Sequence, residues 1–403
     1  MDDSEKCNEF FAKILTKDRN PDYLKSLVQE GGISDETRDI LLECIRDYQR
    51  KNSESKPGYV ESILVSRFLK NTLKFLSQDV AKVEGPVSLF QMSHPDYVTN
   101  PQIFYLFGDI HVKINDCRGY KIDKWIKDTI MYSPVFIDVY IEIPYSYKKY
   151  PGISMRKLTS NNYLVDTYYS FEHCFLRKKS KDVCLTSRFH YTDMRMIFES
   201  VNQQIGYAMS MSDILITQEI MDYINSYINF LLDKNSFIHQ RIQKQFDNIT
   251  DPNIKRILEQ SFQECQEKYQ DYIKPISDSS IQSKASDVVN PKELLKYITC
   301  LMDYYLMGRC FRTYKRGVFK YHRPSYNNII YAGEVHRKNY VDILLKLGFV
   351  IDFESINFDI KILEKVSPVD YVELMKSIPD FQCLDVSGMK QPMFHQRYRN
   401  DIS

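Results

Sequence analysis

The spacing of apolar positions changes along the chain, and each change predicts a different kind of element. Phe10, Phe11, Ile14 and Leu15 recur at helical spacing, and Ser34-Asp35-Glu36 opens a second run through Ile40, Leu41, Leu42 and Ile45. A third extends from Tyr59 to about Val83 through Ile63, Leu64, Phe68, Leu73 and Phe75. Apolar side chains three and four residues apart line one face of a helix. Residues 1–90 therefore read as a helical region that packs on the core or on a partner. Beyond residue 101 the period is lost. Ile103-Phe104-Tyr105-Leu106-Phe107 is a short continuous apolar run, the pattern of a strand buried on both faces. A helix-compatible segment follows at Asp123–Met131, then a second strand, Val135–Ile143, closed by Pro144. Strand, helix and strand in this order make one βαβ unit, whose crossover is right-handed.

Residues 145–186 are rich in Tyr, Lys and Ser and predict loops with short strands. Ser187–Arg195 leads into a long helical region with two apolar stripes. Ile220, Ile224, Ile228, Leu231 and Leu232 form one; Ile254, Leu258, Phe262, Cys265 and Tyr269 form the other, after Asp251-Pro252. These predict a helical hairpin over residues 215–272, a peripheral insertion or lid, followed by an exposed Ser-rich linker at 275–289. Asn290-Pro291-Lys292-Glu293 is a helix start, with an N-cap, a proline at the first helical position and an acid at the third. That helix should run to Tyr314, and a basic loop then leads to a strand at Ile329–Ala332. A helix at Tyr340–Leu347, a turn at Gly348 and Phe349-Val350-Ile351 complete another strand–helix–strand unit, and the tail holds one short helix near Val372–Met375. The expected fold is α/β: a mixed, mostly parallel sheet flanked by helices. Residues 1–90 are the helical region and 91–365 the core, with an insertion at about 204–275 and a tail at 366–403.

Composition narrows the picture modestly. At 403 residues with 43% hydrophobic and 27% charged positions, the chain has the make-up of a globular protein. Lys plus Arg (54) balances Asp plus Glu (53), so no nucleic-acid partner is expected. The nine cysteines form no CxxC pair, which predicts reduced thiols and a cytoplasmic location. The acidic start is not a signal peptide, and no apolar stretch is long enough to span a membrane. Protein partners are expected through the helical region at 1–90.

The candidate chemistry lies in a repeated pattern: an apolar strand, then Gly, an acid, an aliphatic residue and His. It occurs at Gly108-Asp109-Ile110-His111 and at Gly333-Glu334-Val335-His336. Glycine lets the backbone turn sharply and approach a ligand, and in open parallel sheets ligands sit beyond the carboxyl ends of strands. Two such strand ends on one edge would bring both histidines together. The second strand adds Glu142, where a third ligand or a general base would sit. His173, His190, His239, His322 and His395 follow no metal-ligand spacing and read as surface or packed residues. No cysteine is marked as a nucleophile, and there is no P-loop, kinase or dinucleotide fingerprint.

Leu106–His111, Val139–Glu142, and Ile330–His336 with the following Leu344–Val350 together resemble the TraB/Tiki superfamily, which includes erythromycin-esterase-like and ChaN-like proteins. The resemblance covers motifs between residues 103 and 352, and Leu301–Arg312 is more like uncharacterised proteins of large DNA viruses of eukaryotes. It implies a hydrolase-like site with His111, Glu142 and His336 as ligands of a divalent ion such as Mn or Zn. Asp109 or Glu334 would take the proton and Arg309 would bind an anionic group. Asp193-Met194-Arg195 falls near the superfamily's Asp-Arg segment. Asp109 stands where many relatives carry Glu, which shortens its reach by one methylene. A metal-free version, in which His activates water directly, stays open. So does a virion or assembly protein that keeps a degenerate enzyme fold, in the host cytoplasm or the virion. The substrate is unknown.

Overall fold

The computed structural model describes residues 80–114, 117–132, 137–144, 162–175, 187–193, 215–284, 291–314, 325–358, 371–378 and 380–394. Residues 1–79 of the helical region expected over 1–90, residues 145–161 and 176–186 of the loops expected over 145–186, and the end of the linker at 285–289 lie outside the described residues.

Six strands form the central sheet. They are β2 (Ser88–Ser93), β3 (Ile103–Asp109), β5 (Ile137–Pro144), β6 (Ser187–Asp193), β7 (Asn327–Gly333) and β8 (Val350–Ile356), in the spatial order β6-β5-β7-β3-β2-β8. Only β2 runs against its neighbours β3 and β8; the other pairings are parallel. The expected α/β class with a mixed, mostly parallel sheet is what the chain adopts. A smaller sheet joins β4 (Tyr120–Lys121), β1 (Lys82–Glu84) and β9 (Cys383–Asp385). β1 and β2 fall at the end of the region read as helical. Val87, Leu89, Phe90 and Met92 are buried on both faces of the sheet, so β2 shows no two-residue alternation, and a run that short does not distinguish strand from helix.

The two faces of the sheet carry separate cores because side chains alternate along each strand. Ile103, Tyr105, Phe107, Val139, Ile141, Ile329 and Tyr331 point to one face. There they meet α1 (Ile122–Tyr132) and α2 (Tyr163–Phe175). The single tryptophan, Trp125 on α1, packs edge-on against Phe107 with ring centroids 6.0 Å apart. Phe104, Leu106, Tyr140, Ile330 and Ala332 point to the other face. It is covered by α6 (Pro291–Phe311) and α7 (Glu334–Lys346), with α3 (Gln218–Leu232), α4 (Phe237–Phe246) and α5 (Pro252–Gln270) stacked beyond. The last described helix is α8 (Tyr371–Ser377).

The insertion therefore differs from the hairpin expected. Among the described residues it holds three helices, because Ile238, Ile242 and Phe246 add a buried stripe of their own, and Thr217 and Asp251 cap α3 and α5. Nor is it peripheral: Ile224, Leu231, Phe246 and Leu258 belong to the same continuous core as Leu106 and Ile330. The described part of the linker, 275–284, is mostly exposed but pinned by buried Ile276, whose backbone N–H donates to Asn225 Oδ1 at 2.6 Å. The cysteines also depart from expectation. Cys117 is disulfide-bonded to Cys383 and Cys265 to Cys300, with Cα–Cα distances of 5.4 and 6.3 Å, while Cys310 is a buried free thiol. Partners 266 and 35 residues apart leave no short spacing for a sequence reading to detect. Among the described residues, no helix is long and apolar enough to cross a membrane.

Candidate functional site

β7 lies between β3 and β5, and all three run parallel, so their carboxyl ends share one edge. The two look-alike segments are not equivalent there. Gly108 pairs with Ala332 and Asp109 with Gly333, a stagger of one residue. After Asp109 the first segment leaves the sheet as a loop, and His111 takes a left-handed conformation with φ 57°. An L residue there carries strain of about 1–3 kcal/mol and persists only where its surroundings hold it. Asp109 supplies that hold: Oδ2 accepts the His111 backbone N–H at 3.1 Å and lies 3.4 Å from its Nδ1. The second segment turns directly into a helix. Gly333 is the N-cap of α7, Glu334 its first residue and His336 lies in its first turn. The helix thus begins at Glu334 rather than Tyr340, as an acid at a helix N-terminus favours.

Glu142 joins the two segments. Its Oε2 accepts the Gly333 backbone N–H at 2.6 Å and lies 3.7 Å from His111 Nε2; its Oε1 lies 3.3 Å from His336 Nε2. Both histidines reach one carboxylate because the residue between them on β7 has no side chain. A Cβ on Gly333 would sit 2.8 Å from His111 Nε2 and 3.2 Å from Glu142 Oε2.

A second carboxylate stands behind His336. Asp303 on α6 accepts from His336 Nδ1 at 2.6 Å and from Asn339 Nδ2 at 2.6 Å, which fixes the imidazole with Nε2 toward Glu142. Burial opposes a charge on His336, but the Glu142 and Asp303 carboxylates outweigh it and hold its pKa well above the ordinary value. Burial raises the Asp303 carboxyl, and His336 offsets part of that rise. The His111 side chain is 45% exposed, against 7% for His336 and 1% for Glu142.

The remaining site residues are placed elsewhere. Glu334 turns away from the histidines into a buried ion pair with Arg337, and Ser88 Oγ donates to the same carboxylate. Arg337 in turn lies 4.4 Å from the Phe90 ring centroid. Both oxygens of Glu334, expected as a proton acceptor, are thus engaged by Arg337 and Ser88 rather than facing the histidines. Arg309 contacts none of the three ligand candidates. Its guanidinium donates to Tyr305 OH at 2.9 Å and to His190 Nδ1 at 2.7 Å. Asp109, His111, Glu142 and His336 are brought together; Glu334 and Arg309 are not. Asp303, Asn339, Ser88 and Arg337 were missed. The three-residue spacings from Glu334 to Arg337 and from His336 to Asn339, both on one helix, are local signals that bear on them.

Two imidazoles and a carboxylate are donors suited to a borderline divalent ion. The 3.3 and 3.7 Å separations are those of neighbouring donors, and a carboxylate on the far nitrogen is how liganding histidines are oriented. Among the described residues, however, no three such side chains already stand as a formed metal group. Each Glu142 oxygen faces a different histidine, and Oε2 is shared with Gly333 N–H. The donor chemistry fits, with His111 the most exposed of the three. Comparison with known protein families, with curated proteins and with solved structures finds no match to this chain.

Proposed function

We propose that the chain is a hydrolase of the TraB/Tiki kind, its reaction centred on His111, Glu142 and His336, with a divalent ion such as Mn or Zn held by these three side chains. The observation that carries the reading is the Glu142 carboxylate between two histidines that come from different strand ends, with Asp303 behind one of them. Groups far apart in the chain and joined around one carboxylate at the carboxyl edge of a parallel sheet are what such folds use for binding and chemistry. The ion, when bound, supplies a Lewis acid that lowers the pKa of water and polarises a carbonyl or phosphoryl oxygen. The protein does the rest. Asp303 keeps His336 Nε2 aimed at the site, the Gly333 N–H holds Glu142, and Asp109 fixes the His111 loop. Asp109 Oδ2 lies 3.4 Å from His111 Nδ1 and takes the proton-accepting role, with Glu334 bonded to Arg337 and Ser88.

Thermal melts of wild type and His111→Ala, each with and without excess Mn²⁺ or Zn²⁺, test the reading. His111 is half-exposed and contributes little packing, so the variant should melt close to wild type without metal. Wild type should gain about 2.7 kcal/mol at a hundredfold excess of ion over Kd, and the variant should gain almost none. A large metal-independent drop in the variant would mark a structural histidine. No metal response in either protein would turn the reading toward an assembly protein with a degenerate site.

A further inference from the structure

We propose that the Cys117–Cys383 disulfide is a redox latch on the loop that carries His111. The loop leaves β3 at Asp109 and alternates in character. Ile110, Val112 and Ile114 pack against a small apolar cluster of Val87, Phe358, Met375 and Phe381. His111 and Lys113 fall between them, and the His111 side chain is 45% exposed. The consecutive residues Phe381, Gln382 and Cys383 all grip this loop. Phe381 belongs to the apolar cluster. Gln382 is fully buried; its Oε1 accepts the Ile114 backbone N–H at 2.8 Å, and its Nε2 donates to the Val112 carbonyl at 2.7 Å. Cys383 is bonded to Cys117.

The gripping segment does not need the disulfide to keep its own place. β9 pairs with β1 from Cys383 to Asp385, and the Gly85 N–H donates to the Gln382 carbonyl at 3.0 Å. Gln391 exchanges a pair of hydrogen bonds with the Val80 backbone, and Leu384, Val386, Met389 and Met393 are buried in the core. The loop has weaker anchors. Its three aliphatic side chains are only partly buried, and His111 is held at φ 57°, a strain of the same order as two hydrogen bonds. Opposing terms of similar size leave the loop two positions, and the covalent link decides between them. With the link closed, Gln382 stays within reach of Val112 and Ile114. With the link open, the loop must give up conformational entropy each time it returns. The effect is confined to the loop, because β3 holds the chain up to Asp109 and the β4–β1 pairing holds it again from Tyr120.

Cys117 is partly exposed and Cys383 is buried. The thiolate of a cellular dithiol therefore attacks the Cys117 sulfur, and Cys383 leaves. The second thiol of the reductant then displaces Cys117 from the mixed disulfide. Two electrons and two protons pass to the protein sulfurs, and the dithiol becomes a disulfide. As regulation of ion binding the latch rests on the hydrolase reading; as a property of the loop it does not.

Hydrogen–deuterium exchange of the full chain, oxidised or treated with dithiothreitol and followed by mass spectrometry, tests the proposal. Reduction should speed exchange over residues 110–114 about tenfold and leave Asn327–Gly333 of β7 unchanged. Cys117→Ala/Cys383→Ala should exchange as fast there without reductant and gain nothing from it, while Cys265→Ala/Cys300→Ala should keep the wild-type response. Direct Mn²⁺ titration reads the consequence for the site. With its loop in place about a tenth of the time, Cys117→Ala/Cys383→Ala should bind the ion about tenfold more weakly than oxidised wild type. Free thiols at Cys117 and Cys383 in the oxidised protein, or loop exchange that ignores reduction, would overturn the latch. A reduction response that survives in Cys117→Ala/Cys383→Ala, or equal Mn²⁺ affinities, would do the same. Should wild type bind no Mn²⁺, the hydrolase reading fails and the exchange data alone decide the latch. Should Cys117→Ala/Cys383→Ala fail to fold, a dithiothreitol series on wild type decides it: loop exchange must rise in step with free thiol at Cys117 and not at Cys265.

Discussion

Alanine at Gly108 and alanine at Gly333 make the same chemical change in the same sequence pattern, yet the structure separates their consequences. A Cβ on Gly108 would fall within the Glu334 carboxylate and against Ser88 Oγ. Neither can retreat, because Glu334 and Ser88 are buried and Glu334 is held by Arg337. Gly108→Ala must therefore displace Glu334 and leave a buried guanidinium unpaired, a loss of about 3–5 kcal/mol. A Cβ on Gly333 instead meets the tip of the half-exposed His111 ring at 2.8 Å. That ring can swing into solvent, and φ −57° suits alanine, so the cost is the low end of overpacking, about 1 kcal/mol. Urea denaturation followed by the fluorescence of Trp125, which packs on the residue preceding Gly108, reads both. Gly108→Ala should be less stable than Gly333→Ala by at least about 2 kcal/mol, roughly thirtyfold in the folding equilibrium. Gly333→Ala should keep its fold and lose its response to Mn²⁺ or Zn²⁺. Equal destabilisation, or a Gly333→Ala protein less stable than Gly108→Ala, would refute the assignment of Gly108 to the support around Glu334 and of Gly333 to the site.

Glu334→Gln keeps the Ser88 bond but strands Arg337, and should cost about 3–5 kcal/mol in the same urea experiment; a neutral effect would return Glu334 to the list of proton acceptors. Asp303→Asn weakens the hold on His336 and should lower divalent-ion affinity about 10–100-fold with the fold retained, measured by direct metal titration; unchanged affinity would exclude an orienting role. His190 has its folded pKa depressed by burial from 6.5 to about 3. The unfolded chain then takes up this proton below pH 6.5 while the folded one does not, so the contribution is complete above 6.5 and is lost as pH falls toward 3. The slope reaches about 1.4 kcal/mol per pH unit. His190→Gln should show a flatter decline of stability in that window, and superimposable acid profiles would contradict the buried neutral imidazole.

The strands that carry the site were legible where burial on both faces made them continuously apolar. Ile103–Phe107 and Ile329–Ala332 are of this kind, and each was followed by glycine, so their ends could be read to within two residues. β1 and β2 were not legible, because Lys82–Glu84 and Ser88–Ser93 are short and adjoin an apolar run of helical spacing. The helix α4 was hidden for the opposite reason. Ile238, Ile242 and Phe246 give a clear stripe, but it sits between two longer ones and reads as their continuation. The start of α7 was placed late because Gly-Glu-Val-His was read as a strand end in both copies, whereas one copy opens a helix.

The order of apolar runs by itself determined the α/β class, and the paired Gly-acid-x-His segments with Glu142 marked the residues that would meet. Local sequence can do this because side-chain period and glycine's freedom act over a few positions. What each copy does was decided only in three dimensions. The one-residue stagger between Asp109 and Gly333 places His111 and His336 on opposite flanks of Glu142. The same packing turns Glu334 under β3 toward Arg337 and brings Asp303 from α6 onto His336. Gln382 and Cys383 reach the His111 loop for the same reason: β9 pairs beside β1, and residues far apart in the chain meet only when the elements carrying them do.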